Sequence, residues 1–203
     1  MLPRSIAAKL NAMCTIAFRQ TRFAGLAAAA LLLLPSMAAA QTVAEPEEYR
    51  MEEYRAPVPA TLKGAKVVST AEAEALWREK GAIFVDVLPR PPKPDLPEGT
   101  VWNEKPHFDI PGSVWLADVG FGALAPEMEA WYRDSLERIA GGDKARPLLL
   151  YCRADCWMSW NAAKRAIAWG YADIIWYPGG IEDWEAAKLP LEEQKARRPE
   201  GQE

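Results

Sequence analysis

The 203 residues carry 28 acidic against 24 basic side chains, a net charge of −4, and a single histidine. No basic stripe runs through the chain, which argues against nucleic acid or an anionic membrane surface as a partner.

Residues 1–40 read as an export signal: Arg4, Lys9, Arg19 and Arg22, then the apolar run Phe23–Leu34, then Ala38-Ala39-Ala40 before Gln41. This is the basic region, apolar core and A-x-A site of a secretory signal, with cleavage expected after Ala40. The apolar run is short for a stable span, so no membrane segment is expected afterwards; an uncleaved anchor is the alternative. Met13 is an alternative start, because the basic region is long. Cleavage removes four of the 24 basic residues and none of the 28 acidic ones, leaving a net −8. Cys14 leaves too, and the two remaining cysteines, Cys152 and Cys156, make no disulfide scaffold. In an oxidising periplasm a bond between them would persist.

Residues 41–64 form an extended arm rich in Glu, Pro and Arg, with EEYR at Glu47–Arg50 and again at Glu52–Arg55. Its tyrosines either dock it on the domain or leave it solvated. Lys66–Ser69 is the first expected strand. Ser69 or Thr70 caps a helix over Ala71–Lys80, closed by Gly81. Ala82–Leu88 is a strand whose largely apolar make-up suits burial on both faces of a parallel sheet. Asp86 within it either anchors a loop or serves chemistry, since a buried carboxylate needs partners. Residues 89–106 are a proline-rich insertion, with Trp102 expected over the active face. His107 follows, and a lone histidine is more often a satisfied group than a catalyst. Ile110-Pro111-Gly112-Ser113 turns into a strand at Val114–Leu116. Pro126–Ala140 is a helix closed by Gly141-Gly142-Asp143.

Leu148–Tyr151 is then a buried strand, followed by the cysteine turn and a helix over Trp157–Trp169. A thiol past a strand end, facing a helix N-terminus, meets unpaired N–H groups and the positive end of the helix dipole. Both favour the thiolate, and Cys152 is the expected nucleophile. Ala172–Tyr177 is the last expected strand, Ile181–Lys188 the last helix, and 192–203 a charged, frayed tail. Strands alternating with helices indicate an α/β sandwich around a mainly parallel sheet.

Over residues 65–191 the chain resembles the rhodanese family. The features are FVDV at Phe84–Val87, IPGS at Ile110–Ser113, YC at Tyr151–Cys152, AAKRAIAWGY at Ala162–Tyr171 and the closing YPGGIEDWEAAKLPL. The resemblance implies a three-layer fold with a five-stranded central sheet and a persulfide-forming Cys152. CRADCW followed by MSWNAAKRA is similar to the exported CXXCW-motif members associated with PQQ-dependent catabolism. That similarity implies a periplasmic location and a pathway of quinoprotein alcohol oxidation.

The loop departs from the usual sulfurtransferase pattern, carrying Asp155 and Trp157 where many members have Gly and Arg. It loses a cation for an anionic donor, which Arg153 replaces only if its side chain turns inward; Arg153 and Asp155 are equally a solvated pair. The amides from Arg153 through Ala154, Asp155 and Trp157 to Met158 are expected to bind the charged sulfur and its substrate. Cys156, at the helix start, is close enough to resolve an adduct on Cys152 as an internal disulfide. Alternatively the pair is an inert disulfide, or the loop holds a non-covalent cofactor. Two cysteines and a distant histidine fall short of a structural zinc site. Trp157 and Trp160 cover the pocket, stack on a flat ligand or pack against the insertion. Lys164 and Arg165 are expected on a solvated face, and Asn161 near the active loop.

The expected function is sulfurtransferase-type thiol chemistry on a sulfane-sulfur donor, with no resident cofactor predicted. Periplasmic dithiol–disulfide exchange is the enzymatic alternative. The other is a non-catalytic binding or assembly module for a quinoprotein dehydrogenase or its cytochrome c.

Overall fold

The computed structural model describes residues 43–197 and 199, apart from 93 and 104. The expected export signal, Cys14 and the last residues of the tail lie outside them. Among the described residues no helix is long and apolar enough to cross a membrane.

The elements in chain order are β1 (Ala65–Val67), α1 (Thr70–Glu79), β2 (Ile83–Asp86), β3 (His107–Asp109), β4 (Val114–Trp115) and α2 (Pro126–Ala140). There follow β5 (Leu148–Tyr151), α3 (Trp157–Ala168), β6 (Ile174–Tyr177), α4 (Gly180–Ala186) and β7 (Glu192–Gln194). Five strands form one sheet in the order β1-β6-β5-β2-β4, and every pair in it is parallel.

Side chains alternate across a strand, so the central strands feed two cores. Val85, Leu148, Leu150, Ile174 and Trp176 face the core built with α2 and α3. Phe84, Leu149, Tyr151, Ile175 and Tyr177 face the one built with α1 and α4. The helices start and stop where local chemistry requires. Ser69 caps α1 in a reciprocal capping box with Glu72, and Gly141, at φ 66°, closes α2.

Two expectations fail outside the sheet. Residues 192–197 are not frayed: β7 pairs antiparallel with β3, and the Arg197 amide donates to the Trp115 carbonyl at 2.8 Å. Both three-residue strands lack an apolar pattern, and distant pairing creates them. Lys164 and Arg165 are not on a solvated face. Arg165 is buried and donates to the Gly122 carbonyl, while Lys164 donates to the carbonyls of Pro46 and Glu47. Burial lowers the pKa of Arg165, and the face of Tyr49, 4.2 Å away, attracts the cation.

Candidate active site at the cysteine loop

β5 is buried along its whole length, and Cys152 emerges from its carboxyl end in the middle of the sheet. The loop returns at Cys156, which is the N-cap of α3 and caps it without a side-chain hydrogen bond. Asp155 takes a left-handed conformation at φ 51°, which turns the chain back toward the helix. The start of α4 braces the loop from beyond β6. The Ile181 amide donates to the Cys152 carbonyl at 2.9 Å, and Gly180, at φ 55°, lies where a Cβ would collide with Cys152 and Arg153 backbone.

Cys152 and Cys156 are joined as a disulfide, with a Cα separation of 6.3 Å, inside the usual span. Cys152 is fully buried and Cys156 is 5% exposed. The expectation of an open Cys152 thiolate is therefore corrected. The sulfur is bonded, and it sits in the apolar core shared with α2 and α3.

The arm makes this closure. It docks as an extended strap across the start of α3, not as a solvated tail. Asn161 holds it at Arg50, accepting from the amide and donating to the carbonyl at 2.9 and 2.8 Å, and also donates to the Gly120 carbonyl. Arg55 forms a β-bridge with Cys156, and the Ala56 amide donates to the Asp155 carbonyl at 3.0 Å. The Trp157 amide belongs to the cradle expected for sulfur. It donates instead to the Tyr54 carbonyl at 2.9 Å. Among the described residues no backbone N–H is hydrogen-bonded to either cysteine sulfur, so the bowl of amides is not formed in this state.

The remaining predicted site residues divide by burial. Arg153 and Asp155 are exposed and form no ion pair with each other, and Ala154 is half-buried. An exposed Arg153 does not supply an inward cation over the disulfide. Trp157 and Met158 are buried in the core and offer no free surface to a substrate. The Trp157 indole N–H donates to the Pro57 carbonyl, and that of Trp160 to the Thr61 carbonyl, so both pack under the arm rather than the proline-rich insertion.

Beside this loop stands a second polar group, of which the sequence singled out Asp86 and His107 one by one but neither Asp109 nor their meeting. Asp86 ends β2 directly opposite Tyr151 of β5, and His107 Nε2 stands 2.8 Å from Asp86 Oδ2. Asp109, unremarked in the sequence, is fully buried and accepts from the Tyr151 hydroxyl at 2.7 Å. The signal was there in period 2: His107 and Asp109 share one face of β3, while Phe108 on the other is exposed. Burial and the charge of Asp109 push the Asp86 carboxyl up to about 7, against the pull of His107. Burial works against a charged imidazole at His107, but the carboxylates of Asp109 and Asp86 outweigh it and push the ring up to about 9.

A family model described as the rhodanese-like domain matches residues 69–187, more than half of the chain. The chain belongs to the rhodanese-like family. Its parallel five-stranded sheet with two pairs of flanking helices is that family's architecture, and Cys152 stands at the end of the central strand. Among solved structures, a polysulfide-sulfur transferase from Wolinella succinogenes is 19% identical, with 68% of this chain and 85% of that one covered at a TM-score of 0.41. An uncharacterized protein from Saccharomyces cerevisiae is 24% identical over 63% of this chain and 98% of that one, at 0.39. A protein from Lactobacillus plantarum is 16% identical over 64% and 88%, at 0.40. No curated protein matches the chain.

Proposed function

We propose that this rhodanese-like protein is an exported thiol protein whose Cys152–Cys156 pair cycles between dithiol and disulfide, with Cys152 as the sulfur carrier. The observation that carries the reading is the bond itself, inside the loop where the resemblance implies a persulfide-forming cysteine. In the reduced protein, Cys152 thiolate attacks the sulfane sulfur of a donor, forming a persulfide and expelling the donor's remaining group. Cys156 thiolate then attacks Cys152 Sγ, forming the disulfide and releasing the outer sulfur as hydrosulfide. The dithiol supplies the two electrons that the sulfane sulfur gains. An external dithiol, exchanging through a mixed disulfide, restores the pair. Cys156 at the N-terminus of the twelve-residue α3 has the helix dipole to support its thiolate once reduced.

The strap must lift for this chemistry, because it covers the pair and holds the Trp157 amide. Export rests on the residues at 1–40, and a role beside periplasmic PQQ-dependent alcohol oxidation rests on the CRADCW resemblance. The cysteines here stand one residue further apart than that motif's name implies. A quinoprotein dehydrogenase or its cytochrome c is the partner this role implies.

The experiment is mass measurement of the reduced protein after exposure to polysulfide. Native protein should release sulfide and end as the disulfide, whereas Cys156→Ser should gain the mass of one sulfur atom on Cys152. Simple dithiol–disulfide exchange predicts bridging by a disulfide substrate with no sulfur gained by that variant. The complete burial of Cys152 favours one further reading, an inert staple in a binding module. A bond that resists strong reductant in the folded protein would establish it and end the thiol reading.

A further inference from the structure

The cluster that the thiol chemistry does not use has the features of a metal centre. His107 Nε2 lies 2.8 Å from Asp86 Oδ2 and 3.8 Å from Asp109 Oδ2. One donor atom from each of the three residues lies within 4.8 Å of the other two. Both carboxylates are buried, and the imidazole keeps a narrow opening at 13% exposure.

Each ligand is oriented from behind. Asp86 Oδ1 accepts from the Leu88 amide at 2.8 Å, leaving Oδ2 toward the ring. Asp109 Oδ1 accepts from the Ile110 amide and the Tyr151 hydroxyl, both at 2.7 Å, and Oδ2 from the Ser113 hydroxyl at 2.9 Å. Trp115 packs on the imidazole with ring centroids 4.0 Å apart. Outer partners of this kind fix metal-ligating carboxylates and histidines.

Charge and distance agree. Once both carboxylates are ionised, a single imidazolium leaves the buried group a net negative charge, which is costly. A divalent cation in place of the shared proton makes the group neutral. Tetrahedral zinc with N and O bonds of about 2.0–2.2 Å sets its ligand atoms roughly 3.3–3.5 Å apart. The observed 2.8 and 3.8 Å from Nε2 bracket that value, and the carboxylate pair, within 4.8 Å, closes by up to roughly 1.4 Å to hold the ion. A cavity of about 330 Å³ is lined by His107 and Trp115 together with Lys105 and Lys195, so the group opens outward on its imidazole side.

We propose that Asp86, His107 and Asp109 bind one zinc ion, with the fourth position facing this cavity. The test uses untagged protein beginning at Gln41, the exported form, with the disulfide intact, so that neither Cys14 nor the cysteine pair offers a thiolate to the metal. His107 is the chain's only histidine, and its imidazole resonances report on the site alone. Titration with zinc chloride should show one equivalent bound by calorimetry and move the Nε2 signal. Asp109→Asn should weaken binding at least about tenfold, and Arg55→Ala, in the arm and away from the cluster, should leave it unchanged. If Asp109→Asn fails to fold, Ser113→Ala serves in its place, with a smaller loss in the same direction. An imidazole signal that stays put in excess zinc, or moves equally in both the native protein and the Asp109 variant, overturns the proposal.

Discussion

The cysteine loop and the Asp86–His107–Asp109 cluster begin at the same rung of the sheet, where Asp86 pairs with Tyr151, and they are closed by opposite means. Neutral parts close the loop: a covalent bond, arm carbonyls and amides, and the carboxamide of Asn161. Charge closes the cluster, through two buried carboxylates facing one imidazole. A neutral seal opens when a segment of chain is displaced, and pH matters little to it. A charged seal answers to protons and cations, because each ionisation changes the cost of burial.

The hardest test of the neutral side is Asn161→Ala. It removes three hydrogen bonds at a fully buried position and leaves the Arg50 amide without its partner. The expected loss is about 2–4 kcal/mol in urea unfolding, from ~1–3 kcal/mol for each buried group left unpaired. Thiol labelling in mild reductant should also show the disulfide opening faster. A loss of stability with unchanged reduction kinetics would separate the arm from the cysteines.

The charged side predicts a pH dependence in metal-free, chelator-treated protein. The folded pKa of His107 is raised, so the stability its imidazolium supplies is complete below about 6.5 and lost as pH climbs through about 9. Asp86, raised to about 7 by burial and by Asp109, acts in the same sense at lower pH, since its ionisation penalises the folded state. Unfolding free energy should fall by roughly 2–3 kcal/mol between pH 6.5 and 9, at ~1.4 kcal/mol per pK unit. A profile that rises with pH would contradict the assignment. Lys105, Lys195 and Glu193 border the His107 opening, and neutralising them one at a time should leave the sign intact.

Gly180→Ala tests the brace beneath the loop. A side chain at φ 55°, pressed on Cys152 backbone, should cost about 1–3 kcal/mol in thermal or urea unfolding. Stability equal to native would show that the loop accommodates the methyl group. The smallest effect is expected from Arg55→Ala. The Arg55–Glu182 pair joins arm to α4 at 2.9 Å with both side chains well exposed, so stability should change by less than about 1 kcal/mol. Disulfide reduction should nevertheless quicken modestly, as one tether of the strap is lost. A large destabilisation would mean that the pair is more than a surface tether.

The α/β sheet and its helices were legible in the sequence because they rest on local rules. Buried runs such as Leu148–Tyr151, the Ser69 cap and the glycine after α2 act within a few residues, and the family resemblance covers the same stretch. The cysteine pair was legible as a pair, since four positions across a helix start bring two Cα atoms within bonding range. Its accessibility was not, because the cover comes from about a hundred residues earlier, largely through backbone hydrogen bonds that a residue of any type can make. The same holds for β3 and β7, whose pairing partner lies more than eighty residues away. Asp86, Asp109 and His107 are scattered in the sequence, and none of them alone points to the others. Periodicity and capping, which act over a turn or two, were therefore determined by the sequence alone. Closure of the sulfurs and the gathering of the buried charges were decided by tertiary structure, since only long-range contact sets which groups lose water together.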